Sequence, residues 1–66
     1  MKEKLLLAGA GGLGRVVSEH ARKIYDCAFL DDGKTCGSVV CDIPVIGTIE
    51  ALKTLYPEYG KLVVTI

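Results

Sequence analysis

Hydrophobic positions fall in blocks along this chain, and the spacing inside each block differs. Leu5-Leu6-Leu7-Ala8 is a continuous apolar run. Such a run suits a strand buried on both faces, as in the middle of a parallel sheet. Gly9-Ala10-Gly11-Gly12-Leu13-Gly14 interrupts it as a turn. From Arg15 the period becomes helical. Val17, Ala21 and Ile24 share one face at i, i+4 and i+7, with Val16 and His20 beside them. Glu19, Arg22 and Lys23 take other faces. Cys27-Ala28-Phe29-Leu30 is a second short apolar strand, closed by the turn signature Asp31-Asp32-Gly33. Strand, helix and strand in so short a span predict a βαβ unit with a right-handed crossover.

Residues 33–47, GKTCGSVVCDIPVIG, read as a loop with short extended pieces. Val39-Val40 and Pro44-Val45-Ile46 are its apolar patches, and Pro44 points to an edge or a turn entry instead of a central strand. Thr48 suits the N-cap of a short helix over 49–56, with Glu50 in its first turn. Ile49, Leu52 and Leu55 line one face of it, and Pro57 and Gly60 close it. Leu62-Val63-Val64-Thr65-Ile66 is a third strand, expected to be central. The pattern therefore predicts one α/β domain over 1–66: a small Rossmann-like parallel sheet of three to four strands with two helices. Ligands of such sheets sit beyond the carboxyl ends of the strands. A strand that runs to the last residue has no loop there, so the chain is expected to be the front part of a longer gene product, the alternative being a small protein that a partner completes.

Composition narrows the function classes. With 66 residues, folding buries only ~60% of the surface that the unfolded chain exposes. Eight basic and eight acidic residues balance to zero net charge. Nothing in that balance steers the chain to nucleic acid or to an acidic membrane. Aromatics are few and no basic stripe exists, which argues against a nucleic-acid platform. No apolar stretch reaches the ~18 residues of a membrane span. The apolar run after Met1-Lys2-Glu3-Lys4 is too short for a secretion signal. The three cysteines, Cys27, Cys36 and Cys41, are odd in number and show no CxxC spacing. They are expected to be buried or half-buried free thiols in a reducing cytoplasm, not a disulfide framework or a zinc site.

The glycine turn carries the chemistry. Residues 9–14 match G-x-G-x-x-G, with a strand before, a helix after, and an acid about 20 residues on. Gly9 allows the tight turn, Gly11 lets backbone approach a phosphate, and Gly14 lets helix and strand pack closely. The helix N-terminus offers unpaired N–H groups to a diphosphate, and Arg15 lies next in sequence. Asp31, at the end of the second strand, is placed to accept hydrogen bonds from ribose or sugar hydroxyls, and Asp32 to do the same or to cap the turn. A lone histidine beside an apolar helix face, His20 is expected to pack and not to catalyse. Tyr25, Tyr56 and Tyr59 are expected at the core boundary with a polar tip outward. Lys53 and Lys61 are expected to be surface charge. No nucleophile–base pair and no catalytic residue present themselves. The residues alone predict a diphosphate holder and leave a nucleotide-sugar and a dinucleotide both open.

Four pieces occur in order: LLLAGAGGLGRVV, AFLDD, GSVVCDIPVIGTIEAL and LVVTI. This order resembles the N-terminal domain of the PglD/NeuD-like bacterial sugar acyltransferases over nearly the whole chain. The most specific element is the glycine loop combined with FLDD and with G-x-x-V-x-x-x-P-V-I-G. The resemblance implies a parent with a C-terminal left-handed β-helix of hexapeptide repeats, normally a homotrimer, which uses acetyl-CoA as co-substrate. It implies that this domain holds the nucleotide part of a UDP-linked amino sugar and carries no cofactor, metal or catalytic residue of its own. Carried over by position, it implies that Gly11, Gly12 and Leu13 contact the nucleotide-sugar through backbone groups. Asp31 and Asp32 would then contact the base or ribose, with Gly47 near the same cleft. The family commonly has histidine where this chain has Leu13, in a G-H-G sequence. Leucine keeps the backbone N–H and loses any side-chain bond. Rival readings are the Rossmann-like domain of a capsule nucleotide-sugar dehydratase, an NAD-binding half-domain of an oxidoreductase, and an interaction domain whose glycine loop is purely structural.

Overall fold

A computed structural model describes residues 2–65. Five strands form one sheet: β1 (Glu3–Ala8), β2 (Tyr25–Leu30), β3 (Val39–Val40), β4 (Ile43–Gly47) and β5 (Leu62–Val64). Two helices accompany them, α1 (Gly12–Ala21) and α2 (Leu52–Tyr59), the second preceded by a 3-10 turn over Ile49–Ala51. The order across the sheet is β3-β4-β2-β1-β5. β1 pairs in parallel with β2 and β5, β2 pairs in parallel with β4, and β3 pairs antiparallel with β4. This is the expected Rossmann-like α/β architecture. Two particulars differ from the expectation. There are five strands among the described residues, and the last of them stands at the sheet edge beside a central β1. The part of the third expected strand at Ile66 lies outside the described residues.

The two sheet faces carry separate cores, because successive side chains of a strand point to opposite faces. On the α1 face, Leu5, Leu7, Ala10, Cys27, Phe29, Ile43 and Val45 pack together, with Val17 and Ala21 against them. On the α2 face, Leu6, Ala28 and Leu30 meet Ile46, Ile49, Leu52, Leu55 and Leu62. That double burial is why the β1 and β2 sequences read as unbroken apolar runs.

α1 departs from its periodic reading. It ends at Ala21, and Ile24 falls in the following turn, 66% exposed. Val16 and His20 are exposed as well, so the expectation that His20 packs is overturned. The inward seam of the helix is Gly14, Val17, Ser18 and Ala21, with Gly14 and Ser18 buried and Val17 and Ala21 half-buried. These small side chains bring the helix close to the sheet, and the Ser18 hydroxyl donates to the Arg15 carbonyl within the helix at 2.9 Å.

Pro44 also departs from its reading, since it lies inside β4, between β3 and β2. The register explains how. The pairing of β4 with β2 begins at Val45 opposite Phe29, so the missing N–H of Pro44 costs no bond of that ladder. Pro57 likewise lies inside α2 and does not close it. Gly60 closes it, in the left-handed region at φ 76°, and its N–H caps the Tyr56 carbonyl at 2.7 Å. Lys4 ties β1 to this helix through an ion pair with Glu58 at 2.9 Å and sits over the Tyr59 ring.

Candidate functional site

β1 stops at Ala8 and the chain turns through Gly9, whose φ of 120° is open to glycine and strained for other residues. The Gly9 N–H donates to the Leu30 carbonyl at 2.8 Å, so the turn begins anchored to the end of β2. Ala10 is fully buried, and Gly11 serves as the N-cap of α1. The first N–H groups of a helix have no partner within it. Here no side chain caps them and no acidic residue stands in the first turn. A Cβ added at Gly11 or Gly12 would meet nothing within 4 Å, so the outer face of the loop is open. Leu13 projects from the same turn, 56% exposed. Gly14 is the opposite case: a Cβ there would overlap the Gly9 carbonyl.

Asp31 follows β2 directly and faces the loop. Its Oδ2 accepts the Ala10 N–H at 2.6 Å, and its Oδ1 accepts the Gly33 N–H at 2.7 Å. These two backbone donors, Ala10 first, hold its carboxyl below the usual carboxylate range. Asp32 turns the other way, and its Oδ1 accepts the Ile49 N–H at 2.8 Å. Asp32 thus caps the 3-10 turn, a task that Thr48 stands in position for but performs with no side-chain bond.

Gly9, Asp31, Asp32, Gly33 and Ile49 line a cleft of about 240 Å³ at the carboxyl ends of the strands. Asp32 and Ile49 also border an adjoining hollow of about 470 Å³ with Thr48 and Glu50. The structure thus gathers Gly9, Gly11, Gly12, Leu13, Gly14, Asp31 and Asp32 at one end of the sheet. Gly47 is nearby without lining the cleft. Its carbonyl accepts the Asp31 N–H at 3.0 Å, and a Cβ on it would crowd Ala51 at 3.2 Å. A hollow of about 520 Å³ at the opposite end, bordered by Lys2, Arg22, Tyr25 and Asp42 among others, has neither a glycine turn nor a helix N-terminus.

One residue of the site escapes sequence reasoning. Thr65, just past β5 and 3% exposed, donates its hydroxyl to the Gly9 carbonyl at 2.6 Å. A single hydroxyl within an apolar strand was its only signal.

The family model described as PglD N-terminal domain matches residues 4–66. This chain belongs to the PglD N-terminal domain family. Two solved structures are similar to it. The acetyltransferase domain of PglB from Neisseria gonorrhoeae FA1090 is 39% identical, with a TM-score of 0.83, over 98% of this chain and 33% of that one. The same domain in complex with acetyl coenzyme A is 42% identical, with a TM-score of 0.76, over 100% of this chain and 33% of that one. The PglD N-terminal domain described here thus spans about a third of the length of those structures. No curated protein matches it. The family expected from the four sequence pieces is borne out, and neither similar structure is a dehydratase or an oxidoreductase.

Of the cysteines, Cys27 is buried, Cys41 half-buried and Cys36 exposed, all free. Cys36 therefore corrects the expectation of a buried or half-buried thiol. Among the described residues no cluster of metal-ligating side chains occurs, and no helix is long and apolar enough to cross a membrane.

Proposed function

We propose that this chain is the nucleotide-sugar-holding domain of a sugar acetyltransferase that uses acetyl-CoA, and that catalysis resides outside these 66 residues. The observation that carries the reading is the open glycine loop, on a chain 39–42% identical to an acetyltransferase domain. The uncapped N–H groups from Gly11 to Gly14 suit a UDP diphosphate, since they offer donors and partial positive charge without a side chain in the way. Asp31 and Asp32, at the cleft, serve as acceptors for ribose or base. Asp31 already receives two backbone N–H groups and Asp32 one, and each carboxylate oxygen keeps a further lone pair. Leu13 gives its backbone N–H alone. The parent reading adds a trimeric β-helix domain that supplies the acetyl-CoA site. Free thiols suit a reducing cytoplasm.

Calorimetric titration of the chain with UDP-N-acetylglucosamine, and separately with NAD⁺, tests this. Heat with the UDP-sugar alone is the expected result. Heat with NAD⁺ alone would move the parent to the oxidoreductases, and silence with both would leave the loop a structural turn.

A further inference from the structure

The peptide group between Gly9 and Ala10 is held at both poles by side chains from other strand ends. Its carbonyl oxygen accepts the Thr65 hydroxyl at 2.6 Å. Its N–H donates to Asp31 Oδ2, also at 2.6 Å. Thr65 is itself fixed, because its backbone N–H continues the β1–β5 ladder onto the Ala8 carbonyl at 2.9 Å. Its hydroxyl lies 3.2 Å from that same Ala8 oxygen, so the shorter bond to Gly9 takes the proton. On the Asp31 side, the backbone N–H is fixed by the Gly47 carbonyl. A peptide group is planar, so holding both of its poles sets its orientation. Gly9 alone would not: its backbone is the most permissive of any residue.

We propose that Thr65 and Asp31 act as a pair of positioning residues that clamp the Gly9–Ala10 peptide plane and so aim the N–H groups of Gly11, Gly12 and Leu13 at a diphosphate. The aim rests on the nucleotide-sugar reading above; the clamp does not. Thr65 touches no ligand and works through the Gly9 carbonyl. Asp31 uses Oδ2 for the clamp, and Oδ1, beside Gly33, remains toward the cleft.

The test is amide NMR of the 66-residue chain with Thr65→Val and Thr65→Ser, joined to titration with UDP-N-acetylglucosamine. Valine keeps the shape of threonine and removes the donor, whereas serine keeps the donor. Thr65→Val is expected to shift or broaden the Gly11, Gly12 and Leu13 amides, leave those of β2 and α2 in place, and weaken the UDP-sugar about tenfold. Thr65→Ser is expected to restore both readouts. In the wild type, the Ala10 amide resonance is expected to move as Asp31 is protonated in acid. Unchanged loop amides in a folded Thr65→Val chain, or no rescue by serine, would overturn the clamp. If the wild type gives no heat with the UDP-sugar, the ligand reading fails and the amide shifts alone decide. If Thr65→Val does not fold, the wild-type Ala10 titration decides, and an Ala10 amide indifferent to acid refutes the clamp.

Discussion

Gly14, at the start of α1, packs directly against the Gly9 carbonyl, leaving no room for a side chain between helix and turn. The obstacle to a larger residue is backbone, and Thr65 Oγ1 closes the same space at 3.2 Å from where a Cβ would sit. Overpacking of this kind costs about 1–3 kcal/mol. In a domain this small each kcal/mol lowers Tm by roughly 4–8 °C. Gly14→Ala is therefore expected to melt well below the wild type in a circular-dichroism scan. A variant that melts with the wild type would contradict the close approach.

Two residues earlier the same substitution has the reverse outcome. Gly12 opens α1 with nothing near its missing Cβ. Alanine is the better helix former by up to about 1 kcal/mol, so Gly12→Ala is expected to melt at or slightly above the wild-type temperature. Its methyl group stands where a diphosphate would approach. Affinity for UDP-N-acetylglucosamine is expected to fall tenfold or more, about 1.4 kcal/mol. Titration and melting of one sample separate the two effects. Unchanged binding would place the diphosphate elsewhere.

Asp31 makes stability depend on acid. The Ala10 and Gly33 N–H groups hold its carboxyl below its ordinary value, which is ~3.9 in an unfolded chain. A folded value below the unfolded one stabilises the native state fully above that range. The contribution is lost as pH falls through the folded value. Asp31→Asn is expected to melt below the wild type near neutrality, by the worth of a charged hydrogen bond, about 1.5–3 kcal/mol at most. The gap should close as pH drops below about 4. Paired melts across that range check it, and a gap that stays constant into strong acid would contradict the assignment.

The thiols differ in reach. Cys36 is exposed, Cys41 half-buried, and Cys27 is 7% exposed with its thiol pushed up by burial and by the nearby Asp26 carboxylate. Alkylation requires the thiolate and access to it. Peptide mapping after brief iodoacetamide treatment is expected to find Cys36 modified first and Cys27 only after denaturation. Early modification of Cys27 would mean that β2 opens readily.

Much of this was legible in the chain. β1 and β2 announce themselves as apolar runs because both sheet faces are covered there, while β5 is just as apolar in sequence although Val63 and Val64 are exposed at the sheet edge. The glycine loop announces itself because its open face and its tight turn both exclude side chains. The exceptions have physical causes. Pro44 concealed β4, since a proline is compatible with a strand only where the ladder needs no donor, and that position is set by register, which is tertiary. Ile24 extended the apparent helix because it keeps the period after the backbone has left it. His20 borders an apolar stripe in projection, yet it is exposed to solvent. Asp31 was legible as a cleft acid, but its hold on Ala10 depends on how the turn folds back. Thr65 was invisible because its partner is 56 residues away.

That distance has a consequence for how the protein is made. A ribosome delivers residues in order, so the glycine turn emerges long before the hydroxyl that fastens it. Until β5 has docked against β1, the Gly9 carbonyl lacks its Thr65 partner. Such long-range closure slows folding. The geometry of the glycine loop is therefore complete only once β5 lies against β1.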